Sequence, residues 1–324
     1  MSHAECLQSL DVVRLVALCD TDRSALVEGG ARLGINGLFS DYRELISSVR
    51  PDLLSIATRT PAKKQVFTFA CENGVRAIYI EKPLANSTED CRELLDLARD
   101  RRVKIAYGVN RRYHAAYRLA RDLVRQGEIG ELVDIVVEHG RSPLLWAHPH
   151  LVDLMLFFSG STGVSDVQAT LAPESVQWDS DLTVDSDPLV EHAFFRFANG
   201  VSGVIGRTPG LSVRLGGVDG TLTIHGNGHS LQLSRRSEPS SPYFWEQQFR
   251  SVAMGSSATV TAMRELAASI VDDLAPPISP REIEVGTRML LGCVWSHLQG
   301  GRRVTLDEVP KHLTVTGRSG NLYA

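Results

Sequence analysis

The sequence predicts an α/β protein in two parts: a parallel sheet built from βαβ units, then an α+β part with a largely antiparallel, open-faced sheet. Three observations carry this. Short apolar runs alternate with helical patterns as far as about Tyr113. Beyond it come short alternating runs split by Asn-Gly and Asp-Gly turns. The chain is 324 residues long, too long for one ordinary core. The expected domains are therefore residues 1–113 and 114–324.

The elements follow in order. Residues 12–19 (VVRLVALC) read as a buried strand ending on Asp20, and residues 53–57, 75–80 and 103–107 read the same way. Helical stretches at 24–33, 63–72 and 88–100 separate them, the last with a start signal at Thr88. In the second part, a helix at 115–126 leads to a strand at 131–140 and a helix spanning 150–158. Strands at 191–197, 201–206, 213–216 and 221–225 follow, with turns at Asn199-Gly200 and Asp219-Gly220, and helices at 260–274 and 280–298 close the pattern.

Composition narrows the function. With 43% hydrophobic residues, 22% charged residues and a net charge of −4, the chain reads as soluble and globular. A mildly acidic protein has no electrostatic means of holding nucleic acid or an anionic membrane. No apolar stretch approaches the ~20 residues of a membrane span. The five cysteines are scattered without a CxxC pair, and the first residues lack a signal-peptide pattern, so a cytoplasmic location is expected.

Asp20 suits a particular role. A dinucleotide-binding unit places an acidic residue at the end of its second strand, ~20 positions after a GxGxxG turn, to hold the adenosine ribose hydroxyls. Counting back from Asp20 puts those glycines at or before Met1. Gly29, Gly30 and Gly34 lie after the acidic strand in a helical stretch, where they cannot cradle a pyrophosphate. The expectation is a Rossmann-type domain without its first strand, the sequence starting inside the first helix at Ala4, Cys6 and Leu7. Either the natural start lies upstream, the preferred reading, or the domain lacks that strand by nature. Alternatively, Asp20 is a helix N-cap. The Asp20 carboxylate would repel a 2′-phosphate, which favours NAD, while Arg23 nearby keeps NADP open.

The stretch AIYIEKPLANS at residues 77–87 resembles the glucose–fructose oxidoreductase/inositol dehydrogenase (Gfo/Idh/MocA) family. Its Glu81-Lys82-Pro83 follows an apolar strand, the edge at which such sheets bind ligands. Pro83 keeps Lys82 out of a helix. A desolvated ammonium there can steady a developing alkoxide or act as a base; the duller reading is a solvated lysine on a surface turn. SIATRTP at 55–61 resembles the family's loop under the nicotinamide, and the resemblance assigns Thr58, Arg59 and Pro61 to the cofactor. Gln65 stands where the family has a histidine. YGVNRRY at 107–113 resembles the segment that turns Asn110 and Arg111 toward cofactor or substrate, and a surface arginine remains a credible reading for Arg112. QGEIGEL at 126–132 resembles the turn into the second domain, and FANGVSGVIG at 197–206 and GRRVTL at 301–306 resemble parts of that domain.

HPHLVDLM at 148–155 is similar to the segment that supplies the family's catalytic histidine, here His150. Asp153, three residues on, shares its helical face and is expected to orient the imidazole. Trp146 occupies the place of a usual aspartate, and His148 is a substitute acid/base or a capping histidine. His148, His150 and Asp153 as metal ligands would lack a fourth partner at known spacing, so no metal is expected.

The resemblance implies a dehydrogenase with NAD, or NADP, as cofactor. Hydride would move to or from a secondary alcohol carbon of a sugar, cyclitol or related polyol. Lys82, His150 and Asp153 would be catalytic, and Asp20, Thr58, Arg59, Pro61, Glu81, Lys82, Asn110 and Arg111 would bind the cofactor. The resemblance also implies substrate contacts from residues 141–148 and 173–188, and a homo-oligomer joined through the open sheet face. The alternative is a non-catalytic sensor of dinucleotide or sugar with the same fold.

Overall fold

The computed structural model describes residues 1–176, 182–236, 245–252, 255 and 257–317. Part of the expected substrate loop, 177–181, lies outside the described residues. The chain forms two compact units: Met1–Ala85, Asp90–Asn110 and Ser256–Pro280 make the first, and Asn86–Glu89, Arg111–Gly255 and Arg281–Ala324 the second. No helix is long and apolar enough to cross a membrane among the described residues.

The first unit holds five parallel strands in two separate sheets. β1 (Ala17–Cys19) pairs with β2 (Gly37–Phe39). β3 (Leu53–Ile56), β4 (Ala77–Ile80) and β5 (Lys104–Tyr107) form the other, in the order β3-β4-β5. β4, flanked on both sides, is fully buried from Ala77 to Ile80, as the middle strand of a covered parallel sheet should be. The helices start where the sequence provides caps. Ser2 and Glu5 form a capping box for His3–Gln8, and Asp22 accepts from the amides of Ser24 and Ala25 to open Arg23–Leu33. The later helix Ala258–Val271 packs on β4, β5 and His3–Gln8.

Two differences from the sequence reading have physical causes. The strand expected at 12–19 is paired only at Ala17–Cys19, because β2 is its sole partner among the described residues. Strand β2 and helix Tyr42–Val49 were not foreseen. A three-residue strand is too short to show periodicity, and its glycine is there for close approach: a Cβ at Gly37 would lie 2.6 Å from the Val16 carbonyl oxygen. Gly30 sits in the helix Arg23–Leu33, where a Cβ would meet Leu38 at 2.8 Å.

The second unit is dominated by a nine-stranded sheet. Its strands, with a separate short one, are β6 (Leu132–Glu138), β7 (Ser142–Pro143), β8 (Val164–Leu171), β9 (Thr183–Val184), β10 (Leu189–Phe197), β11 (Ser202–Gly206), β12 (Ser212–Gly217), β13 (Gly220–His225), β14 (Ser230–Arg236) and β15 (Trp245–Ser251). The order is β15-β14-β13-β12-β6-β11-β10-β7, with β8 also on β10, and β9 instead pairs with β16 (Thr314–Val315). Asn199-Gly200 lies in the connection of the antiparallel pair β10–β11, and Asp219-Gly220 leads from the β12–β13 connection into β13. The exception to antiparallel pairing within this sheet is β6–β11. Helix Pro149–Ser159 is buried at every position but His150 and Ser159, and Pro280–Leu298 buries a long apolar face.

Candidate active site

The strand ends of the first unit gather a connected set of polar groups. Lys82 and Pro83 follow β4, joined by a cis peptide bond. The turn is held from beneath by Lys63, a residue that no sequence motif marks. Its ammonium donates to the carbonyl oxygens of Glu81, Lys82 and Pro83 at 2.8, 3.1 and 2.9 Å. Lys63 is 2% exposed, and burial pulls its pKa down to about 7; the Glu81 charge opposes that shift and Lys82 adds to it. A signal was present. Lys63, Val66, Phe67 and Ala70 recur at helical spacing and are all buried, so the lysine sits on an apolar face.

Glu81 is fixed from several sides. His3 Nε2 lies 3.1 Å from Glu81 Oε1, and His3 Nδ1 lies 2.9 Å from Ser55 Oγ. Burial pushes the Glu81 pKa up, but the hydrogen bond and charge of His3, then Lys82 and Lys63, outweigh it and leave it lowered. A Cβ at Gly108 would stand 2.7 Å from Glu81 Oε2, so only glycine leaves room for this carboxylate. Tyr79 donates its hydroxyl to Asn110 Oδ1 at 2.9 Å. The structure thus brings Glu81, Lys82 and Asn110 together at the ends of β4 and β5.

Asp20 is exposed at the end of β1 and accepts from the Asp22 amide at 2.9 Å. Asp22, not Asp20, caps the next helix, which removes the capping explanation for Asp20. Thr58 and Arg59 are exposed after β3, and Pro61 lies in the first turn of Thr60–Glu72. Gln65 is exposed on that helix, so the support given to the turn by Lys63 comes from two residues earlier.

In the second unit two expectations are corrected. Arg112, read as a surface arginine, is 5% exposed. It donates to both oxygens of Asp153 at 3.0 and 2.6 Å and to Glu282 at 2.9 Å. Asp153, expected to orient His150, therefore directs its carboxylate at Arg112. The i,i+3 spacing brought aspartate and histidine near one another, but a bidentate guanidinium is the stronger partner for a buried carboxylate. Burial pushes Asp153 up to about 6 against the pull of Arg112. For Arg112 burial works against the cation, yet Asp153 and then Glu282 prevail and hold its pKa above the usual value.

Of the two roles open to His148, its surroundings favour packing. It is fully buried, its Nδ1 lies 3.0 Å from the Pro143 carbonyl, and burial lowers its pKa to about 4. His150, the next turn's entry at the head of Pro149–Ser159, is half-buried. Asp187 accepts from the amides of Leu145 and Trp146, so a carboxylate caps the short helix that bears Trp146. Arg111 donates from Nε to Asn227 Oδ1 at 2.7 Å. Among the described residues no group of three His, Cys, Asp or Glu side chains could hold a metal ion.

The fold and strand-end cluster define a class: a two-unit α/β protein whose first unit carries polar groups at the carboxyl ends of parallel strands. Residues 1–109 match the Gfo/Idh/MocA family model, described as an oxidoreductase family with an NAD-binding Rossmann fold. Over those residues the chain is similar to this family. It is 30% identical over 129 residues to D-apiose dehydrogenase of Paraburkholderia graminis, covering 40% of this chain and 34% of that protein. Against myo-inositol 2-dehydrogenase of Thermotoga maritima it is 26% identical over 129 residues, covering 40% and 38%. The matched stretch thus spans little more than a third of these relatives' length. An Agrobacterium radiobacter oxidoreductase, solved with NAD+, L-tartaric acid and magnesium, shares the fold with a TM-score of 0.77 and 15% identity over 94% of both chains.

Proposed function

We propose that the chain is an NAD(P)-dependent oxidoreductase that moves a hydride to or from a secondary alcohol carbon of a sugar, cyclitol or related polyol. The observation that carries this reading is the strand-end turn Glu81-Lys82-Pro83, with three carbonyls held by the buried Lys63. The names of the relatives, a sugar dehydrogenase and a cyclitol dehydrogenase, support the substrate class.

The residues fit a dinucleotide at two of its three parts. The exposed Asp20 carboxylate, relieved of capping by Asp22, suits ribose hydroxyls and disfavours a 2′-phosphate, so NAD is the proposed cofactor. The polar wall of Glu81, Lys82 and Asn110 suits the nicotinamide end, with Thr58, Arg59, Pro61 and Arg111 as further contacts. The pyrophosphate is not provided for, since the turns after β1, β3 and β4 contain no glycine. When bound, the cofactor supplies the hydride acceptor. The chain's own part is proton movement: Lys82 or His150 takes the hydroxyl proton, while Lys63 and Arg112 keep the Lys82 turn and the His150 helix in place. The open face of the second unit's sheet is proposed to join copies into a homo-oligomer.

The experiment is NADH production from a panel of pentoses, hexoses and cyclitols, with NADP as comparator. Lys82→Met is expected to lower turnover by about a thousandfold, within the usual range for a general acid–base group, and to leave the fold intact by circular dichroism. Unchanged turnover removes Lys82 from the reaction. NADH fluorescence that reports binding without turnover of any substrate would replace the enzyme reading with a sensor.

A further inference from the structure

Arg111 and Arg112 are neighbours in the chain, yet the second unit gives them opposite surroundings. Arg112 is held by the carboxylates of Asp153 and Glu282. Arg111 is half-buried and donates from Nε to Asn227 Oδ1 at 2.7 Å, but no carboxylate among the described residues comes within ion-pair distance of it. Asn227 lies in the turn between β13 and β14, and its Oδ1 also faces the Tyr117 hydroxyl at 3.4 Å. The Nε side of the guanidinium is therefore clamped, while the charge of its fork is uncompensated.

The groups around Arg111 bring no opposite charge. Burial lowers the pKa of His139 and of His148, and the positive charge of Arg111 lowers both further, so the two imidazoles are neutral near neutral pH. Their rings lie 6.3 Å apart, and His139 Nδ1 lies 3.1 Å from Ser142 Oγ. Burial pushes Tyr117 up, which keeps its phenol protonated. Burial also works against the charge of Arg111 itself, and Tyr117, not a carboxylate, is what opposes it. A cation partly removed from water without a counter-ion is costly, and a ligand can supply the missing charge.

We propose that Arg111 anchors a carboxylate of the substrate, so that the polyol is a sugar acid, a uronate or an aldonate, instead of a neutral sugar or cyclitol. This rests on the dehydrogenase reading above and narrows its substrate class. The planar fork of a guanidinium matches the two oxygens of a carboxylate. One cation among neutral histidines balances a monoanion and leaves a phosphate dianion half unpaired. His139 and Ser142 stand at the head of the segment expected to meet substrate, and offer hydrogen bonds to hydroxyl groups. The acid group is not consumed. Hydride leaves the carbinol carbon for NAD, the hydroxyl proton passes to the chain, and a keto acid is released with its carboxylate intact.

The test pairs D-glucose, D-galactose and D-mannose each with its uronate, aldonate and 6-phosphate, and follows NADH. The wild type should oxidise at least one acid with a kcat/KM about thirtyfold above that of its neutral sugar, the worth of a hydrogen-bonded charge. Arg111→Gln should bring that ratio close to one, and Arg111→Lys, which keeps the charge and loses the fork, should restore part of it. Calorimetric titration with the same acids separates binding from turnover. Acids that bind the wild type, bind Arg111→Gln far more weakly and are not oxidised would uphold the anchor and remove only the dehydrogenase reading. Three results overturn the proposal: neutral sugars or 6-phosphates used as well as the acids, an acid preference unchanged in Arg111→Gln, or no acid bound at millimolar concentration.

Discussion

Each unit of this protein buries one cation beneath its strand-end or helix-end chemistry, and the two are neutralised by opposite means. Lys63 is surrounded by carbonyl dipoles, three of them on one turn. Arg112 is held by two carboxylates, those of Asp153 and Glu282. Dipoles do not repay the burial of a full charge, and Lys63 falls to about 7. Carboxylates do, and Arg112 stays charged. The turn that carries Lys82 therefore rests on a group that can lose its charge near neutrality, while the helix that carries His150 rests on one that cannot.

The sharpest way to break this comparison is Asp153→Ala. It leaves Arg112 buried with Glu282 alone, and should cost about 3 kcal/mol in urea unfolding, at the lower end for a broken buried pair. The double variant Arg112→Met with Asp153→Leu should recover most of that, because both charges leave together. Recovery absent from the double variant would show that the ion pair is not the source of the loss. Lys63→Met should have a smaller effect, about 2 kcal/mol, by leaving carbonyls of the turn unsatisfied, and should also lower the turnover that depends on Lys82.

The comparison also bears on pH dependence. Between about 7 and 10.5 the unfolded chain binds a proton on Lys63 that the folded chain does not, so Lys63 makes stability rise with pH across that window. Stability curves of the wild type and Lys63→Met, taken from pH 7 to 10, should differ in that slope. Parallel curves would mean that the folded lysine keeps its proton, and the contrast between the two units would then vanish.

The places of the strand-end residues were legible because they are local in sequence. Glu81-Lys82-Pro83 announces itself in three adjacent letters after an apolar run, and Asp20 by ending another. Lys63 was half legible: its helical face marked it as buried, but nothing in the sequence named three carbonyls as its partners. The pairing of Arg112 with Asp153 was not legible at all, since 41 positions separate them and two adjacent arginines look alike until the fold buries one. Strand β2 escaped for a similar reason, being fixed by its contact with β1 and not by any periodicity of its own. The large sheet was readable through its glycine turns, whereas the parallel pairing of β6 with β11 across the antiparallel strands was not.

The bond from His3 to Glu81 has a practical side. Although 78 positions separate the two, any substitution or label at His3 acts on the group that positions Glu81. Constants measured on protein altered there should be compared with those from protein altered elsewhere before any difference is ascribed to Glu81 itself.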